Sequence, residues 1–215
     1  MKQDNSINVT ERINSIENAV YAAIKKYGFR KYGRTLHRRV SDDISQSITF
    51  FCGQSYLNAT HLMWVETGIR VPECVERTFG PIELKKHYST VPCNIRSSLG
   101  QIDGQKTSEI FDLRGDITSY SEKIIDKVVN RVIPVFDILS SRESILIHRK
   151  EYPTFDYWDR HLMLLEESMI YGHLGDMDKA KESFFKYVEL ARIQCKNPSH
   201  FRYLDELAVK LGFAE

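Results

Sequence analysis

Between Tyr27 and Phe79 the chain reads YGFRKYGRTLHRRV, then ISQSITFFCGQS, then HLMWVETGIRVPECVERTF. A helix that closes on a glycine and is followed by three alternating segments narrows the fold more than any other stretch. Ile13, Ile16, Val20, Ala23 and Tyr27 recur at intervals of three or four, so they share one helix face, and a helix is predicted over about 10–27. Gly28 follows as a helix-ending glycine should, because it enters the left-handed region without a Cβ clash. Gly33 opens the first predicted strand, with Leu36, Arg38 and Val40 on one face and Thr35, His37 and Arg39 on the other. Ser41-Asp42-Asp43 is turn chemistry. In the second strand Ile44, Gln46, Ile48, Phe50 and Cys52 alternate with Ser45, Ser47, Thr49 and Phe51, which predicts one buried face. After a connection over 53–60, the third strand sets Met63, Val65, Thr67, Ile69 and Val71 against Trp64, Glu66, Gly68 and Arg70. Pro72 ends it, since proline cannot donate to a ladder. Short links between successive strands favour an antiparallel meander.

Residues 80–115 are broken by Gly80-Pro81, Val91-Pro92, Gly100 and Gly104, with a fourth strand predicted over Cys93–Leu99. From Asp116 the periodicity becomes helical. Ser119-x-x-Glu122 has the form of a capping box. Ile124, Val128, Val132, Val135 and Leu139 continue the helix, and Pro134 inside it predicts a kink or break near Arg131–Ile133. Beyond Tyr152-Pro153 three helical pieces are expected, over 155–173, 176–195 and 199–211. Tyr171, Gly175, Ala180 and Phe184 carry the spacing of a tetratricopeptide hairpin, whereas Ser168 and Tyr187 depart from it. The expected fold class is therefore α+β. An N-terminal helix packs on an antiparallel meander, followed by a long helix and an all-helical C-terminal region. The natural division is an α+β part over 1–150 and a helical extension over 151–215.

The 215 residues are 42 % hydrophobic and 27 % charged, with a net charge of +1. That composition suits a globular chain and gives no global electrostatic case for nucleic acid or a membrane. Cys52, Cys74, Cys93 and Cys195 contain no C-x-x-C pair, so they read as reduced thiols rather than metal ligands. The polar N-terminus lacks the apolar stretch of a signal peptide, and no apolar run reaches membrane-spanning length. A cytoplasmic protein with neither cofactor nor metal is the expectation.

No nucleophile elbow, P-loop, H-E-x-x-H or dinucleotide fingerprint appears. His87 and Cys93 could meet as base and nucleophile, but nothing in their spacing requires it. Lys25, Lys26, Arg30, Lys31, Arg34, Arg38 and Arg39 form a basic run with no acid in it, interleaved with Tyr27, Phe29 and Tyr32. Such a run suits a solvated helix end and edge strand, an acidic protein partner, or nucleic acid. A second cluster joins Trp64, Glu66, Arg70 and Glu73 with Glu76 and Arg77. These charges either pair with one another or border a ligand pocket over the less apolar face of the third strand.

The segments YGFRKYGRTLHRRV, FFCGQS and WVETGIRVPECVERTF resemble a bacterial family known as domain of unknown function 4304. The likeness continues through FDLRGDI, VIPVFDIL and SRESILIHRKEYP and covers roughly residues 15–155. Many members have an Asn-Phe-Gln-like strand where this chain reads Thr49-Phe50-Phe51-Cys52. The resemblance implies no activity and no catalytic residue. It implies an immunity-like binding role, because such domains are found near bacterial toxin and defence systems.

Taken together, these readings favour a non-catalytic, cytoplasmic module that binds a protein. The alternatives are an enzyme or small-ligand protein with a site near Trp64, Glu66, Arg70 and Glu73, and nucleic-acid binding through Lys25–Arg39. The candidate binding residues are Arg34, Arg38, Arg39, Trp64, Glu66, Arg70 and Glu73.

Overall fold

A computed structural model describes residues 8–41, 43–53, 61–79, 89–90, 92–156, 162–194 and 198–214. It has the expected α+β architecture. Helix α1 spans Val9–Ile24, capped by Asn8, whose side chain accepts a hydrogen bond from the Glu11 amide. Ile13, Ile16, Val20 and Ile24 are fully buried along one face, as their spacing requires. A 3₁₀ turn over Lys25–Tyr27 leads into Gly28, whose φ of 88° is the left-handed ending expected there.

The sheet has strands β1 Arg30–Tyr32, β2 Thr35–Arg39, β3 Ser45–Cys52, β4 Leu62–Arg70, β5 Ile95–Ser98 and β6 Phe111–Asp112. Strands β1 to β5 lie in sequence order and every pair is antiparallel. Strand β6 pairs with the start of β4, opposite Leu62 and Met63. The segment before Gly33 is itself a short edge strand, so Gly33 turns a hairpin rather than opening the sheet.

One sheet face carries Leu36, Ile48, Phe50, Val65, Ile69 and Ile95 into the core shared with α1. The opposite face was expected to meet solvent along β3 and does not. Ser45, Ser47 and Thr49 are all buried there. Small hydroxyl side chains keep that face low, and Thr90 and Cys93 lie across it. Gly68 makes this possible, because a Cβ at that position would sit 2.7 Å from the Cys93 Cβ.

Helix α2, Pro72–Phe79, follows β4 directly, with proline in its first turn where no amide donor is needed. Helix α3, Leu99–Ile102, follows β5. Helices α4 (Ile117–Lys127) and α5 (Ile133–Ile138) are joined by a π turn over Val128–Val132. The cap of α4 is Asp116, which accepts from the amides of Thr118 and Ser119, so the expected Ser119 box lies inside the helix instead. The π turn stands immediately before Pro134. Proline offers no amide to the carbonyl one turn back, and the ladder widens to the Ile133 amide and Val128 carbonyl instead.

Helix α6 spans Arg142–His148, and α7 (Met163–His173) and α8 (Met177–Gln194) form the predicted hairpin. Its turn is Gly175 at φ 83°, and Ala180 and Phe184 are buried in its seam. Helix α9, Pro198–Lys210, completes the chain's described part, with Phe213 folding back to 5.3 Å from the Phe184 ring.

Helix α7 is buried around most of its circumference, from Leu165 to Ile170. Two of those residues are glutamates. Arg149 meets Asp156 and Glu166 at 2.7 Å each, and Asn94, beside β5, donates to Glu166 at 3.3 Å. This buried cluster ties the helical extension to the sheet.

Candidate functional site

Arg38 is not at the surface. It lies on the core side of β2, where Nε donates to Gln46 at 2.6 Å and Nη1 donates to the Tyr27 carbonyl. It also pairs with Asp137 on α5 and stacks over Phe29, 4.9 Å from the ring centre. Arg34 lies 4.0 Å from the buried carboxylate of Glu17, which Lys31 meets at 2.9 Å. The basic run therefore divides between the core, α1 and the far sheet face rather than forming one strip.

Arg39 and Arg70 do come together in register, flanking Ser45 on the far face of the sheet. Trp64 and Glu66 share that face. Trp64 donates to Glu66 at 3.2 Å and stacks on Phe51 across the strands. Thr90 occupies the space above them. Its hydroxyl donates to Glu66 and its amide to Thr49. Cys93 packs over Gly68, and its thiol, donating to the Ser89 carbonyl at 3.6 Å, is pushed up to about 12 by burial. It is no thiolate near neutral pH, and His87 lies outside the described residues. Thr90 and Cys93 thus cover Thr49 and Gly68, whereas Phe51, Trp64 and Glu66 stay part-exposed and Arg39 is exposed.

Glu73 does not pair with Arg70. It belongs to α2 and points the other way, receiving two hydrogen bonds of 2.8 Å from Arg142 on α6. Arg142 also donates to both oxygens of Asp43, and this holds the Asp43 carboxyl below its ordinary range. One guanidinium serves two carboxylates, so the three groups keep a net negative charge.

Glu73 stands at the edge of a cleft of about 570 Å³ between α2, α7 and α9. Its walls follow from helical spacing. Glu73 and Glu76 come from one side of α2. Ser168, Met169, Gly172 and His173 come from one side of α7, and Tyr203, Glu206, Leu207 and Lys210 from one side of α9. Met177, Leu211 and Phe213 close the ends. Ser168 and Gly172 keep the α7 wall low, which leaves the space open. The floor is apolar, built on the buried Met169, Leu207 and Phe213, whereas Glu76, His173, Met177, Tyr203, Glu206 and Lys210 reach solvent at the rim. Ser168 is 1 % exposed, and its Oγ has no hydrogen-bond partner among the described residues. Of the residues in the second charged cluster Glu73 and Glu76 line this cleft, and Glu73 alone of the candidate binding residues does so. The rest of it comes mainly from α7 and α9, distant in sequence, where the local signal was Ser168, a departure from the hairpin pattern.

Among the described residues no group of histidine, cysteine, aspartate or glutamate side chains could hold a metal ion, and no helix is long and apolar enough to cross a membrane. Comparison with protein-family models, curated proteins and solved structures returned no match for the chain.

Proposed function

We propose that the protein is a non-catalytic binding module that receives a segment of another protein in the cleft between α2, α7 and α9. The observation that carries this reading is the cleft itself, with an apolar floor, a charged rim and a volume within the range of ligand sites. Two further features support it. Thr90 and Cys93 cover part of the sheet face that a small-ligand or enzyme reading would use. The groove is also built from the helical hairpin and its following helix, an arrangement suited to gripping an extended or helical segment. A binding role of this kind agrees with the immunity-like part that the family resemblance implies.

Site-specific photo-crosslinking tests it. Tyr203 is 37 % exposed at the cleft rim and Ile147 is 67 % exposed on α6, away from the cleft. A crosslinking residue placed at 203 in the producing cells should capture a defined protein that the same residue at 147 does not. Identical products from both positions, or none at 203, would sink the reading.

A further inference from the structure

The rim of the cleft is not electrically neutral. Glu76 and Glu206 are exposed and make no ion pair among the described residues, while Glu73 and Asp43 share the single charge of Arg142. Lys210 is the lysine set against them. Tyr203 also lines the rim, with its ring stacked on His200 at 6.4 Å. Beneath them the floor is apolar, and two methionines, Met169 in the floor and Met177 at the rim, have unbranched side chains that adapt to differently shaped guests. The buried, unpartnered Oγ of Ser168 offers a hydrogen bond at the bottom. A purely apolar guest would leave that hydroxyl unsatisfied, at a cost, whereas a peptide backbone would satisfy it.

Resting on the reading that the cleft receives a protein segment, we propose that its partner presents an apolar side chain flanked by lysine or arginine. The apolar side chain fills the floor over Met169 and Leu207. The flanking cations meet Glu76 and Glu206 on opposite rims. An acidic segment would place like charges against both, and this repulsion discriminates between partners more strongly than the attraction alone.

Three synthetic peptides with the same central Leu-Phe pair, flanked by lysines, serines or glutamates, provide the probe. Titrated against the full chain, the lysine peptide should bind about tenfold tighter than the glutamate peptide, the scale of two exposed ion pairs gained rather than opposed. Its affinity should fall as salt rises. The double variant Glu76→Lys/Glu206→Lys changes only exposed side chains and should reverse the order of the two charged peptides. Unchanged order in that variant, or glutamate binding at least as tight in the wild type, overturns the inference. Equal binding of all three peptides that is lost on Met177→Lys overturns the charge preference and leaves the cleft reading standing. Failure of every peptide to bind overturns both.

Discussion

At Glu166 two carboxyl groups meet one guanidinium in the interior, and the consequence is a pH dependence that can be assigned to one side chain. Burial raises the Glu166 carboxyl from 4.5 to about 7; the nearby Asp156 adds to this and Arg149 opposes it. In the unfolded chain the same group titrates near its ordinary value. Between these two pH values the folded protein holds a proton that the unfolded chain has released. Stability therefore falls as pH rises from about 4.5 to about 7 and levels off above it, by roughly 1.4 kcal/mol for each unit in that window. Glu166→Gln should flatten this slope, as read from urea midpoints at pH 5, 6 and 7.5. The difference between variant and wild type isolates the group from the histidines, and an unchanged slope would refute the assignment. A second residue sets a steric limit. Gly68→Ala places a methyl 2.7 Å from the Cys93 Cβ, so Cys93 must shift away from the sheet. A loss of about 1–3 kcal/mol is expected, the usual cost of overpacking, and should be seen as a lowered urea midpoint. Neither effect is legible in the sequence, where Glu166 looks like an ordinary helical glutamate and Gly68 like a weak point in a strand. Arg39 and Arg70 show the opposite case. Alternation alone put each on the less apolar face of its own strand, but only the shared register with Ser45 makes them neighbours.

Elements with their own periodicity were readable, and those whose shape depends on what packs against them were not. The first helix, strands β2 to β4 and the hairpin α7–α8 follow from spacing and from glycines that the backbone needs. Strand β1 has three residues, too few to show alternation, and exists because β2 offers it a ladder. The burial of both sheet faces also escapes alternation, since Ser45, Ser47 and Thr49 are polar yet covered. At α4 the sequence offers two N-caps three residues apart. Asp116 takes the role because it sits directly before the first helical residue, where its carboxylate reaches two free amides and opposes the positive end of the helix dipole. Asp116→Ala should cost about 1 kcal/mol, whereas Ser119→Ala should leave the melting temperature nearly unchanged. The reverse ranking would restore the capping box. Pro134 marked the disturbance in the following helix but not its form. A missing amide can be absorbed by a kink, a break or a widened turn, and the buried Val128 and Val132 are held in place here by a π turn.

Across the whole molecule, the division at residue 150 falls between helices, with α4 to α6 before it and α7 to α9 after it. The contacts cross it. Arg149 lies on one side and its partners Asp156 and Glu166 on the other, while Asn94, on the sheet's side of the joint, donates its side-chain amide to Glu166. The Asn94 side-chain oxygen accepts from the Val71 amide at 2.8 Å, and the Cys74 thiol donates to the Glu166 carbonyl at 3.7 Å. Helix α7 thus packs with its polar groups committed to α2, to the start of β5 and to the turn after α6. A helix with glutamates in its buried middle is stable only while those partners remain, because unpaired buried charge costs several kcal/mol. The two parts should therefore unfold together. Denaturation by urea followed by far-ultraviolet circular dichroism, which reports mainly the helices, and by hydrogen exchange at the β3 and β4 amides should give one coincident transition. An early loss of helical signal with the sheet amides still protected would show that the extension is an independent unit. That outcome would also bear on the cleft, because α2 belongs to the sheet part and α7 and α9 to the extension. If they move as one body, the rim carboxylates Glu76 and Glu206 keep a fixed separation, and the cleft can select a partner by the spacing of its charges as well as by their sign.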